Sequence, residues 1–194
     1  LEDARTLARN LGIHFSVVPL EPLLEAAEKN LDLSGPTTFE NVQARLRMVV
    51  LMADVNRSGG LLLNTSNRTE LALGYGTLFG DLAGDLAPLG DLSKPEVYAL
   101  ARHYDAETHA IPPYILERPP SAELAPNQVD PFDYDTVSPI VDALARGAPA
   151  PTNTHELERT VQAAEFKRRL APIVLKVHED SFGSGRWVPV TAFR

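Results

Sequence analysis

Cysteine is absent from all 194 residues. That excludes a disulfide scaffold, a zinc knuckle and a cysteine nucleophile, and it suits a reducing compartment. No run of about 18 apolar residues occurs, so no segment reads as membrane-spanning. No basic stretch leading into an apolar one opens the chain, so the expected location is the cytoplasm. Positive charge is in short supply: 18 Lys and Arg against 26 Asp and Glu leave a net charge of −8. A nucleic-acid binder needs a net basic face, so the partners expected are small molecules. No Gly-x-Ser-x-Gly elbow and no Walker A loop is present. The histidines, His14, His103, His109, His155 and His178, form no i, i+4 pair that would suggest a metal helix. The Asn-x-Ser/Thr triplets at Asn56, Asn64 and Asn67 read as chance occurrences without a secretion signal.

What remains is ordinary globular chemistry, with 44% hydrophobic and 23% charged residues on a chain long enough to bury its own core. Glu2 to Leu11 reads as a helix stopped by Gly12. Ile13 to Val18 alternates and is rich in strand formers. Pro22 to Lys29 reads as a short helix, and Thr37-x-x-Glu40 opens a long one as a capping box. Leu61 to Leu63 reads as a buried strand, and Asn64 to Asn67 turns the chain into another helix. This order predicts an α/β fold with a mostly parallel sheet flanked by helices. Eleven of the 16 prolines lie between Pro88 and Pro151, so that stretch reads as loops and short helices laid over the sheet. Within it Ser93-x-x-Glu96 caps a helix running through Tyr104, and a second helix is expected from Thr136 to Arg146. His155 to Leu170 reads as the last long helix, and Pro172 to Arg194 as an irregular or weakly stranded tail. The chain begins at Leu1 within a helix and without a Met, which suggests a piece of something longer.

Several positions could carry chemistry. Thr65 and Ser66 lie where a strand gives way to a helix, the place where open α/β sheets bind ligands. Glu70, one turn on, could hold Mg²⁺ through oxygen. Equally, Ser66 or Asn67 could be a helix cap and Glu70 a favourable first-turn acid. Gly74 to Asp85 is a glycine-rich acidic loop that could approach a ribose or an amine, or simply cover the surface. Lys94 occupies a first turn, where the helix dipole disfavours a cation by roughly 0.3–1 kcal/mol. It could serve an anion there or be solvated. Arg45 and Arg47 face different sides of the long helix, and Lys167-Arg168-Arg169 could be a substrate contact or a favourable helix C-terminus.

The order of these segments is more telling than any one of them. Glu40-Asn-Val-Gln-Ala-Arg-Leu-Arg-Met48, Leu61 to Glu70, Gly74-Tyr-Gly-Thr-Leu-Phe-Gly-Asp81, Leu92-Ser-Lys-Pro95 and Glu117-Arg-Pro-Pro-Ser-Ala-Glu-Leu124 together resemble NAD⁺ synthetase. Glu165-Phe-Lys-Arg-Arg169 and Phe182-Gly183 bring the chain nearest the glutamine-dependent, long-chain branch. The resemblance implies the Rossmann-like adenine-nucleotide α-hydrolase fold of the ATP pyrophosphatases. It also implies the reaction: ATP adenylates the nicotinate carboxylate of deamido-NAD⁺ and releases pyrophosphate, then ammonia displaces AMP to give NAD⁺. By matching position, Thr65, Lys94 and Ser121 would contact ATP, with Thr65 and Lys94 in catalysis. Glu70 would bind Mg²⁺, and Arg45, Asp85 and Lys167 would contact deamido-NAD⁺. A homodimer or larger homo-oligomer is implied, with a glutaminase domain in any upstream chain.

This sequence departs from the family pattern in three places. Leu78 stands where short members have Lys, and Phe166 stands where they have His. The pyrophosphate loop Ser-Gly-Gly-x-Asp-Ser does not occur among these residues. Residues 1–194 are therefore expected to be the carboxyl-terminal two-thirds of one synthetase domain, inactive by themselves. They divide into an α/β part (1–75), a loop-rich part (76–151) and a final helix with tail (152–194). Two other readings stay open: another ATP pyrophosphatase of the GMP or asparagine synthetase type, and a non-catalytic dinucleotide-binding or oligomerisation module.

Overall fold

The computed structural model describes residues 1–122, 124, 128–149, 151–180 and 182. The chain runs α1 (Glu2–Asn10), α2 (Glu21–Asn30), α3 (Pro36–Ser58), α4 (Arg68–Leu73), β1 (Leu86–Ala87), α5 (Lys94–Thr108), α6 (Pro113–Glu117), α7 (Tyr134–Ala145), α8 (His155–Ala163), α9 (Glu165–Arg168) and β2 (Ile173–Val174). The expected helices are present, with adjusted ends. Gly12 ends the first with φ +66°, a left-handed turn that glycine takes without strain. The box at Thr37 does not form: α3 starts one residue earlier on Gly35 and Pro36, with no side-chain cap. Proline at the first helical position has the required φ already and lacks only an N–H that would go unpaired there. The helix expected over 155–170 breaks at Ala164 into α8 and α9.

The sheet is smaller than the sequence pattern suggests. β1 and β2 pair in parallel, Leu86 with Ile173 and Ala87 with Val174, and Leu63 makes a single parallel bridge to Leu86. Ile13 to Val18 forms no strand, because among the described residues no strand pairs with it. Ile13, Val17 and Val18 are exposed. Strand propensity reports a side chain suited to a pleated, half-buried surface, and among the described residues no strand lies beside this segment to form it. In the described part of the tail Ile173–Val174 forms the strand β2. Gly183, the residues after it and Glu123 lie outside the described residues.

The core lies between helices. Ala72 and Leu73 of α4 pack with Val141, Leu144 and Ala145 of α7, Val161 of α8 and Phe182. Buried charges pin α4 on both sides. Arg68 lies 2.9 Å from Asp142 and 3.8 Å from Asp91. Arg168 pairs with buried Glu165 and donates to the Ala72 carbonyl. Its guanidinium also stacks 4.9 Å from the Phe182 ring centroid. A buried cation left unpaired is costly, so these contacts hold α4 in one place. Arg168 is thereby a structural residue and not a solvated helix end.

Candidate functional site

A cavity of about 500 Å³ opens at the N-terminus of α4, lined by residues of α3, α4, α5, the 74–81 loop, the proline-rich segment and α9. Its local structure starts with Asn64. That side chain donates to the carbonyls of Asp81 (2.7 Å) and Ala83 (3.0 Å) and accepts from the Ser66 N–H (2.9 Å). The turn before α4 is thus fixed against the acidic loop, and Thr65 is left exposed on the cavity wall. Asn67 is the cap: it accepts from the Glu70 N–H, and Glu70 Oε2 accepts from the Asn67 N–H at 3.0 Å. Two N–H groups of the first turn are satisfied reciprocally.

Glu70 Oε1 points the other way and accepts from Lys94 Nζ at 3.1 Å. The capping box on Ser93 and Glu96 sets Lys94 at the start of α5, and the Tyr134 ring lies 5.4 Å from its ammonium. The anion that offsets the unfavourable helix dipole at Lys94 is therefore the carboxylate of Glu70.

The helix α4 closes on Gly74 at φ +63°, with Gly74 N–H to Leu71 O and Tyr75 N–H to Glu70 O. This Schellman close delivers Tyr75 into the cavity wall. Lys167 reaches in from α9 and donates to the carbonyls of Gly74 and Gly76, each at 2.8 Å. Burial pushes its pKa down and the nearby Asp81 carboxylate partly restores it. Thr77 joins the loop to α3 through Asn41 Oδ1 at 2.6 Å.

Of the residues singled out from sequence, Thr65, Glu70, Lys94, Ser121 and Lys167 line this one cavity. Arg45 and Asp85 are not among its lining. Arg45 Nε donates to the Leu78 carbonyl at 3.1 Å, so the position where other members have Lys supplies a backbone acceptor. Asp85 is exposed and accepts from the Leu62 N–H at 2.7 Å. The aspartate of this loop on the wall is Asp81. Phe166 is 45% exposed, beside the site and not in it.

Sequence reasoning missed Asn64, Tyr75, Asp130 and Tyr134. Asp130 accepts from Tyr134 Oη at 2.7 Å and from Tyr75 Oη at 3.1 Å. Burial, followed by the Asp130 carboxylate, pushes the Tyr75 phenol up to about 12. The same causes, burial first, raise Tyr134. Both phenols are hydrogen-bond donors at neutral pH.

The cavity presents Glu40, Glu70, Asp81 and Asp130 against Lys94 and Lys167. Among the described residues no group of three or more His, Cys, Asp or Glu could hold a metal ion. Glu70, whose side chain is 16% exposed, is the carboxylate whose Oε1 could share one with a ligand. A second, more apolar cavity of about 240 Å³ adjoins across Thr65 and Asp81, lined by Ala44, Met48, Leu51 and Leu62.

The NAD synthase family profile matches residues 1–171. The glutamine-dependent NAD(+) synthetase of Synechocystis sp. is 38% identical over 98% of this chain and 37% of its own length. The chain thus spans little more than a third of the curated relatives it matches. The structure of NMN synthetase from Francisella tularensis superposes with a TM-score of 0.74 at 29% identity, over 91% of this chain and 72% of that one. A glutamine-dependent NAD⁺ synthetase from Acinetobacter baumannii, solved in complex with adenosine diphosphate, superposes with a TM-score of 0.55 at 29% identity. That match covers 97% of this chain and 37% of the other.

Proposed function

The chain belongs to the NAD synthase family, with its Rossmann-like adenine-nucleotide α-hydrolase fold, and we propose from this premise that it serves the ATP-dependent amidation of deamido-NAD⁺ to NAD⁺. The observation that carries the proposal is the convergence of Thr65, Glu70, Lys94, Ser121 and Lys167, from separate elements, on one cavity. A carboxylate is a poor acyl donor, and adenylation by ATP supplies its leaving group. Charge management is the work that remains for the protein.

Lys94, held at the mouth of α5 by its capping box, faces the departing pyrophosphate. Thr65 and Ser121 offer hydroxyls to the nucleotide, and the apolar cavity beyond Thr65 accommodates a base. Lys167, with two donors spent on Gly74 and Gly76, turns its third toward the dinucleotide. Arg45 and Asp85 would reach deamido-NAD⁺ only outside the cavity, on the surface beside it. The excess of carboxylates in the cavity would repel a triphosphate. The residues therefore fit a Mg²⁺ that would arrive with the nucleotide and that Glu70 would help to hold. That ion would neutralise charge on the triphosphate.

The test is to supply the intact protein with ATP, Mg²⁺, deamido-NAD⁺ and ammonium. We expect NAD⁺, AMP and pyrophosphate in equal amounts, and glutamine in place of ammonium tests a glutaminase source of nitrogen. No pyrophosphate release would refute the reading in favour of a non-catalytic binding module. Release with xanthosine monophosphate or aspartate as sole acceptor would favour a GMP or asparagine synthetase type. The likeness to NMN synthetase favours one further reading, in which nicotinate mononucleotide is the acceptor, and direct competition between the two acceptors decides it. The reading includes a cytoplasmic location; among the described residues no helix is long and apolar enough to cross a membrane. Self-association, tested by sedimentation, completes the reading.

A further inference from the structure

Pro120 and Asp130 meet in a neck, where the Asp130 N–H donates to the Pro120 carbonyl at 2.9 Å. Beside this neck Ser121 and Gln128 line the cavity. The same residue that closes the neck also fastens it to the body. One Asp130 oxygen takes the phenol of Tyr134, at the start of α7, and the other takes that of Tyr75, just past the close of α4. Phe132 wedges edge-on between the two rings, with centroids at 4.8 and 5.4 Å.

We propose that Asp130 is a positioning residue: its carboxylate, gripped by one phenol from α7 and one from the loop after α4, holds the neck and so seats Ser121 on the nucleotide side of the cavity. A carboxylate suits this task because it offers an acceptor to each phenol, whereas an amide has one acceptor oxygen. In Asp130→Asn one tyrosine loses its carboxylate acceptor and faces an amide donor instead. If that is Tyr134, its hydroxyl lies 3.5 Å from Glu70 Oε1 and can turn there, competing with Lys94.

The nucleotide part of this proposal rests on the function proposed above, and the test separates the two. In the intact protein, Asp130→Asn, Tyr75→Phe and Tyr134→Phe are compared with the unsubstituted protein by hydrogen exchange without nucleotide and by steady-state kinetics in ATP. Asp130→Asn should speed exchange of the Asp130 neck amide about tenfold or more and raise KM for ATP by about tenfold, with kcat within about twofold. Each phenylalanine variant should give part of both effects, and Asp130→Glu, which keeps two acceptor oxygens, should restore part of the loss. Unchanged neck exchange in folded Asp130→Asn overturns the proposal. So does a fall in kcat at constant KM, which would place Asp130 in the chemistry itself. Should Asp130→Asn not fold, the two phenylalanine variants, which leave the carboxylate in place, decide the matter by the same criteria. If the unsubstituted protein makes no NAD⁺, the function fails while the exchange result still decides the neck.

Discussion

Gly74→Ala is the substitution whose cost is best defined by the geometry. Gly74 sits at φ +63°, where an L side chain costs roughly 1–2 kcal/mol. A Cβ added there would meet Ala164 Cβ at 2.7 Å and Lys167 Cδ at 3.2 Å. Ala164 is buried at the break between α8 and α9, so it has little room to retreat, and overpacking of this kind costs about 1–3 kcal/mol. The two contributions together are about 2–5 kcal/mol. For a chain of this length that lowers Tm by about 4–20 °C. Urea unfolding monitored by circular dichroism measures the loss as a shift in midpoint at constant slope. Ala164→Gly removes the clashing methyl but not the strained φ. In the double variant it should therefore be less costly than alone, with a coupling of about 1–3 kcal/mol. A Gly74→Ala loss under about 0.5 kcal/mol, or the absence of coupling, would refute the reasoning. Because Gly74 and Gly76 carbonyls hold Lys167, the variant should also weaken dinucleotide binding.

Glu70→Gln should leave the fold within about 1 kcal/mol of its original stability, because Gln still completes a capping box and the lost pair with Lys94 is partly exposed. It should cut Mg²⁺-dependent turnover by a hundredfold or more, and unchanged kcat would remove Glu70 from the metal. Alkaline pH should weaken the fold through the tyrosines. The Tyr75 pKa is about 12 folded and about 10 unfolded. Its contribution is therefore complete below pH 10 and disappears as pH rises through about 12. Lys167, with a lowered folded pKa, acts oppositely, so the tyrosine part is read as the difference between the protein and Tyr75→Phe. Equal slopes in the two from pH 9 to 11 would contradict the assignment.

Elements whose signals are local were legible in the sequence. The Ser93 box needs only residues three apart, and it forms; of the two caps offered at Ser66 and Asn67, Asn67 is the one used. Gly12 marks a helix end because the αL turn is a property of one residue. Strands were less legible because a strand is a relation between segments. Leu61 to Leu63 has the composition of a buried strand, yet it makes one bridge. Ile13 to Val18 has the alternation and no partner. Thr37 has the box spacing, but Gly35-Pro36 starts the helix before it can act. The buried pairs of Arg68 with Asp142 and Arg168 with the Ala72 carbonyl join residues more than 70 positions apart, and no spacing rule reaches that far.

The site divides along the same line. Asp130 bears no local mark, and its role comes from Tyr75, 55 residues away, and from Tyr134. Lys94 was legible because an amino-terminal lysine is a local misfit, and the misfit implied an anion without naming it. Glu70 shows how the anion and the cap are related. From spacing, a first-turn acid that completes a cap and an acid that serves a metal look like alternatives. A carboxylate has two oxygens, and here they are assigned separately: Oε2 to the Asn67 N–H, Oε1 to Lys94 and the cavity. The cap orients the carboxylate, and that orientation aims its other oxygen at the cavity. A residue that satisfies the plainest structural rule is therefore held, by that rule, where the proposed chemistry would use it. Glu70→Gln separates the two roles because it keeps the cap and removes the charge.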